Sequence, residues 1–116
     1  MDINAYEIPV TSEPNQNFRC AIPIDGESKT FIFDIRYNSE AGYWVMAVTD
    51  DLTNNMLIDS IPLFAGIYPA ANLLEQYAYL NIGSAYVVKI NPDVIEENPN
   101  SETLGSGFKL YWSDTR

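Results

Sequence analysis

The chain has 116 residues, with 47% hydrophobic and 13% aromatic side chains and a formal net charge of −10 from 16 acidic and 6 basic residues. That length fits a single β domain over residues 1–116, with one modest core that needs neither metal nor disulfide, and the apolar content excludes a disordered polymer. The charge repels phosphate backbones and anionic lipid, so no membrane and no specific nucleic-acid binding are expected.

Ile3 to Val10 reads as a first strand with Tyr6, Ile8 and Val10 on one face, and Pro9 marks an edge or a strand end. The acidic start lacks the apolar run of a signal peptide, and no apolar stretch is long enough for a bilayer. The expectation is a protein made and folded in the cytosol. After a polar turn, Thr11 to Asn15, the segment Asn17 to Ile24 alternates with Phe18, Cys20, Ile22 and Ile24 on one side. Cys20, the one cysteine, reads as a buried apolar filler in a reducing compartment. Pro23 again marks an edge, and Asp25-Gly26-Glu27 reads as a tight hairpin turn.

The central hairpin, residues 30–50, carries the clearest pattern. Phe31, Phe33, Ile35 and Tyr37 alternate with Asp34, Arg36 and Asn38; Trp44, Met46 and Val48 alternate with Tyr43, Val45, Ala47 and Thr49. A four-residue loop, Ser39 to Gly42, sets Tyr37 opposite Trp44, Ile35 opposite Met46 and Phe33 opposite Val48. A five-residue loop would turn Trp44 to the Asp34/Arg36 face, so burial selects the shorter one. Gly42 then supplies the left-handed conformation that closes the turn.

Asp50 to Asn55 is a further turn, and Met56 to Leu63 a strand with Leu57, Ile61 and Leu63 on one side and Met56 and Ile58 on the other. Residues 69–79 lose the twofold period; Leu73, Leu74 and Tyr77 recur at helical spacing and Pro69 suits a helix start, which predicts one short α-helix. Ser84 to Ile90 is a strand. Residues 91–106 are polar, acidic and proline-containing, a long loop expected to be mobile. Gly107 to Ser113 alternates again, with Phe108, Leu110 and Trp112 facing in. The sum is an all-β fold: six to seven antiparallel strands with one short α-helix, in a compact barrel or sandwich.

Catalytic chemistry has little to work with. Without histidine, histidine-assisted nucleophilic catalysis is closed, and one cysteine makes no zinc site. Asp50 and Asp51, with Asn54, Asn55 and Asp59 nearby, offer oxygen ligands but lack the glycine and terminal glutamate of an EF-hand loop, so a solvated turn is the simpler reading. Glu96, Glu97 and Glu102 read as solvated, and Gly66 and Gly105-Ser106-Gly107 as backbone bends. Asp34 and Arg36 share a polar outer face. Trp44 and Trp112 have the parity of core residues instead of a sugar-stacking platform. No catalytic, metal or cofactor-binding residue is assigned, no cofactor is expected, and the chain reads as a non-enzyme. The residues singled out are structural: Phe33, Ile35, Tyr37, Gly42, Trp44, Met46, Val48, Phe108, Leu110 and Trp112.

The run Phe33 to Asp50, with Tyr37-Asn38 leading through a short turn to Gly42 and Trp44, resembles the phage baseplate plug family found in cyanophage-type contractile tails. Collinear with it, Ile61 to Gly66 (I-P-L-F-A-G), Leu73 to Leu80 (L-L-E-Q-Y-A-Y-L) and Leu104 to Trp112 (L-G-S-G-F-K-L-Y-W) are similar too, so the resemblance spans Phe31 to Trp112. Met1 to Ile24 and the acidic loop carry no matching motif. The resemblance implies a structural protein of a contractile tail or tail-like particle, packed as a plug near the junction of hub and tube. Its implied partners are other baseplate, hub or tail-tube proteins, with copies of itself as a further possibility. Its implied location is the virion tail baseplate, assembled in the host cytoplasm. The competing class is a non-catalytic binding module, a carbohydrate- or protein-binding β-sandwich, which would expose a coplanar aromatic pair.

Overall fold

Among the described residues there are seven strands, most of them alternating apolar and polar side chains: β1 (Tyr6–Ile8), β2 (Asn15–Ile24), β3 (Glu27–Asn38), β4 (Tyr43–Asp50), β5 (Met56–Pro62), β6 (Ser84–Lys89) and β7 (Phe108–Ser113). The computed structural model describes residues 6–66 and 72–115. β2, β3, β4 and β5 form a four-stranded meander, and a second antiparallel sheet has the order β1-β7-β6. Of the two architectures expected, the sandwich is the one formed; the sheets do not close into a barrel.

The central hairpin takes the four-residue loop. Tyr37 lies opposite Trp44, Ile35 opposite Met46 and Phe33 opposite Val48. Gly42 sits at φ +80°, a conformation that a Cβ would strain, and its N–H donates to the Asn38 carbonyl at 2.7 Å. The β2–β3 turn is the two-residue Asp25-Gly26, with Ile24 paired to Glu27. Pro9 follows β1, Pro23 lies in β2 and Pro62 ends β5; these three strands are sheet edges, where a missing N–H breaks no ladder.

The core between the sheets joins the inward residues of β3, β4 and β7. Phe31, Phe33, Ile35, Trp44, Met46, Val48, Phe108, Leu110 and Trp112 are all buried. Phe33 meets Trp112 edge-on at 5.4 Å and Phe31 meets it at 6.1 Å, so one aromatic cluster bridges the two sheets. Tyr37 is only half-buried and packs edge-on against Trp44 at 5.2 Å.

Three segments depart from the expected pattern. In β5, Ile58 and Ile61 are both buried although their parities differ, because Ser60 at φ +53° accompanies a register shift against β4. The helix is a 3-10 helix over Glu75–Leu80, not an α-helix. The Asn72 side chain sets its start by accepting from the Leu74 N–H at 2.9 Å, bonds of the i to i−3 type follow, and Asn81 at φ +54° ends it. Leu74 is fully buried there and Leu73 and Tyr77 pack on the core, while the proposed start at Pro69 lies outside the described residues.

The acidic segment before β7 is not a free loop. Pro99, Leu104 and Gly107 are buried, and the Thr103 carbonyl accepts from both Gly107 (2.8 Å) and Phe108 (3.1 Å). Asp93, Glu97 and Glu102 are exposed, while the backbone closes one end of the sandwich.

Candidate functional site

Strand pairing alone leaves the ends and the seam of a sandwich open, and three side-chain devices close them. At one end the Trp44 indole N–H donates to the Asn100 carbonyl at 2.7 Å, pinning the acidic segment, and Asn98 Oδ1 accepts from the Ala65 N–H at 2.8 Å. At the other end the Trp112 indole N–H donates to the Ile82 carbonyl at 2.8 Å, just past the 3-10 helix. Asn72 Oδ1 also accepts from the Ala85 N–H at 3.1 Å, and the Leu73 N–H donates to the Ala85 carbonyl at 2.8 Å. β6 is therefore covered on its outer side, which explains why Ser84 to Val87 are all buried instead of alternating.

The third device is a clasp between the β2–β3 turn and the segment after β7. The Asp25 carboxylate accepts from the Thr115 N–H (2.9 Å) and hydroxyl (2.7 Å), while the Asp25 N–H donates to Asp114 Oδ1 at 2.8 Å. The Thr115 hydroxyl oxygen accepts in turn from Gly83 N–H at 3.0 Å, and the Ser84 hydroxyl donates to the Asp114 carbonyl at 2.8 Å. The hydrogen bond from the Thr115 hydroxyl holds the Asp25 carboxyl below its ordinary pKa, aided by the Thr115 N–H and the nearby Lys29 ammonium and opposed by partial burial.

The carboxylates considered as ligands are otherwise engaged. Asp50 Oδ2 accepts from the Thr53 N–H and hydroxyl, at 3.2 and 2.7 Å, in an ordinary turn-capping arrangement. Asp51 pairs with Arg19 at 2.8 Å, Asp34 with Arg36 at 2.7 Å, and Glu7 with Lys109 at 2.8 Å. Asp59 and Glu97 are exposed, Glu96 stands 3.4 Å from Asn100 Nδ2, and no group of three or more acidic or cysteine side chains converges on a metal position among the described residues. Trp44 and Trp112 are both buried, so these two rings offer no stacking platform for sugar.

Burial raises the Cys20 thiol above its usual pKa, the Tyr6 hydroxyl partly offsetting the shift. That contact links β1 to β2 at the seam of the two sheets. An open groove of about 640 Å³ lies beside the β4–β5 turn, floored by Phe31, Leu57 and Ile82 and rimmed by Glu27, Asp50 and Leu52. No helix among the described residues is long and apolar enough to cross a membrane.

Sequence reasoning did not single out Asn72, Asn100, Asp114 or Thr115, though they hold the ends together. An Asn ahead of a helical pattern is a turn signal that could have marked Asn72. The clasp residues are polar side chains with no local periodicity, and only the fold brings them to Asp25.

A protein-family model described as the cyanophage baseplate Pam3 plug gp18 matches residues 5–115. The chain belongs to this baseplate plug family. No curated protein matches it. The plug-family match extends beyond the resemblance from Phe31 to Trp112, taking in β1 and β2. All three closing devices of this plug-family fold therefore lie within matched residues.

Proposed function

We propose that the chain is a structural protein of a contractile-tail baseplate, packed as a plug where the hub meets the tube and working through shape and protein contacts, without catalysis. The observation that carries this reading is the match of residues 5–115 to the cyanophage baseplate plug family. Its partners are other baseplate, hub or tail-tube proteins, and its place is the tail of the virion, assembled in the host cytoplasm.

Several features support a scaffold role. Phe33, Ile35, Trp44, Met46, Val48, Phe108, Leu110 and Trp112 fill the core, with Tyr37 at its margin and Gly42 in the turn that sets their register. A surface with a formal charge of −10 repels DNA, so a plug lining the axial passage would not adhere to it. Cryo-EM of the assembled tail tests the reading. Density for this chain near the central axis is the expected result, and its absence from the particle would overturn the role.

A further inference from the structure

A sheet edge offers a row of unpaired N–H and C=O groups, and folded proteins shorten, break or cover such edges. The edge strands β1, β5 and β6 are treated in that way. β1 is three residues long, and β5 is interrupted at Ser60 (φ +53°) and ends in Pro62. β6 is covered where the Leu73 N–H donates to the Ala85 carbonyl and the Gly66 N–H to the Val87 carbonyl. β2 is different. It runs for ten residues, Asn15–Ile24, and contains no carboxylate in a chain of net charge −10.

The register identifies the open groups. Ile24 pairs with Glu27 across the two-residue turn, and the Tyr37 N–H donates to the Pro14 carbonyl at 3.0 Å, so the even-numbered residues of β2 bond to β3. The N–H and C=O groups of Asn15, Asn17, Arg19 and Ala21 therefore point away from the sheet, and none of these N–H groups has a partner among the described residues. The inner face of the strand has a matching gap. Gln16, Cys20, Ile22 and Ile24 are buried, but Phe18 between them is only half-buried, stacked on Phe33 at 5.3 Å.

We infer that β2 pairs antiparallel with β2 of a second copy, joining the two four-stranded sheets edge to edge across a twofold axis. The strand's own sequence selects this occupant and its register. An axis through Arg19 would set two guanidinium groups opposite each other. One through Cys20 or Ala21 would bring Pro23 into the ladder without an N–H to give, and one through Asn17 would leave Ala21 outside it. An axis through Phe18 meets none of these problems. It pairs Asn17 with Arg19 and Asn15 with Ala21 in both directions and leaves Pro23 beyond the ladder. The two half-buried rings then meet in a non-hydrogen-bonded pair, the closest cross-strand position. Two copies repel through most of their surface, yet this edge joins strands free of acidic residues, whose Arg19 is balanced by Asp51 at 2.8 Å. The strand is its own complement under twofold rotation. The inference does not rest on the baseplate reading, because the pairing is a property of the chain alone.

Sedimentation equilibrium of the full chain from micromolar to millimolar concentration tests it, with amide hydrogen exchange read at both ends of that range. A concentration-dependent dimer is expected, with the Asn17, Arg19 and Ala21 amides at least tenfold more protected in the dimer. Asn17→Pro should weaken dimerisation at least tenfold with the melting temperature nearly unchanged, since Pro23 already occupies the same outward-pointing row. Should Asn17→Pro fail to fold, Ala21→Pro gives the same comparison, and exchange in the unaltered chain decides independently. A chain monomeric to millimolar concentration, a dimer whose β2 amides stay unprotected, or one indifferent to both proline substitutions would overturn the pairing. Density in the tail for a monomeric chain would sink this inference while leaving the baseplate role intact; a β2-paired dimer absent from the particle would do the reverse.

Discussion

Trp44 on β4 reaches across the sandwich end to the backbone of Asn100, 56 residues further along the chain, and ties the acidic segment to the central hairpin through one 2.7 Å indole bond. The ring is simultaneously a core residue and a tether. Trp44→Ala should cost about 3–5 kcal/mol in urea unfolding by opening a cavity. Trp44→Phe should cost about 1–3 kcal/mol, because it keeps most of the volume but leaves the part-buried Asn100 carbonyl without its donor. Wild-type stability in Trp44→Phe would mean that the tether contributes nothing beyond packing.

Gly83 faces the second tryptophan. A Cβ built there would lie 2.6 Å from both the Ser113 carbonyl oxygen and Trp112 Nε1, on a residue at φ +99°. Neither neighbour can retreat cheaply, since one is backbone and the other is a fully buried ring. Gly83→Ala should therefore destabilise by about 2–3 kcal/mol, read as a lowered denaturation midpoint with unchanged slope. A wild-type midpoint would show that the end around Trp112 is loose.

Acid should loosen the clasp. The Asp25 carboxyl has its folded-state pKa lowered, chiefly by the Thr115 hydroxyl. A group of that kind contributes stability above its unfolded pKa, near 4, and loses it as pH falls through the folded value. Thermal melts from pH 7 to pH 2.5 should show a decline beginning near pH 4 that is shallower in Asp25→Asn. The exposure of Asp25 keeps the difference small. Parallel profiles for the two proteins would remove Asp25 from the acid response.

Cys20 should be slow toward thiol reagents. Its side chain is buried and burial raises its pKa, so little thiolate is present at pH 8. Ellman's reagent should react with the native chain at least tenfold more slowly than with the chain in 8 M urea. Equal rates would place the thiol in solvent.

Alternation made the hairpin legible. Phe33, Ile35, Met46 and Val48 announce their face every second residue, and only one loop length buries Trp44 with them. Where a single backbone angle breaks the period, the pattern misleads. Ser60 at φ +53° has no sequence signature, so Ile58 and Ile61 read as opposite faces yet are both buried. Leu73, Leu74 and Tyr77 have helical spacing, but the segment is too short to propagate an α-helix and the Asn72 side chain tightens it into 3-10 geometry. The acidic segment looks mobile by composition because its anchors, Pro99, Leu104 and a backbone carbonyl, are invisible to a reading of charge.

The order of the second sheet has a consequence for how the molecule is made. β7, the last strand, is the middle one, and β1 and β6 meet only through it. Glu7 waits for Lys109, 102 residues later, before its ion pair can form. The four-stranded meander needs only neighbours in sequence and can assemble as the chain leaves the ribosome. The opposite sheet cannot begin until β7 has emerged, and its long-range pairing should be slower than that of the meander's hairpins. Until then the ring cluster around Phe33 has no Trp112 to close on, and one whole side of the core lies bare. A ribosome stalled before Phe108 therefore holds half a sandwich, the species most exposed to aggregation.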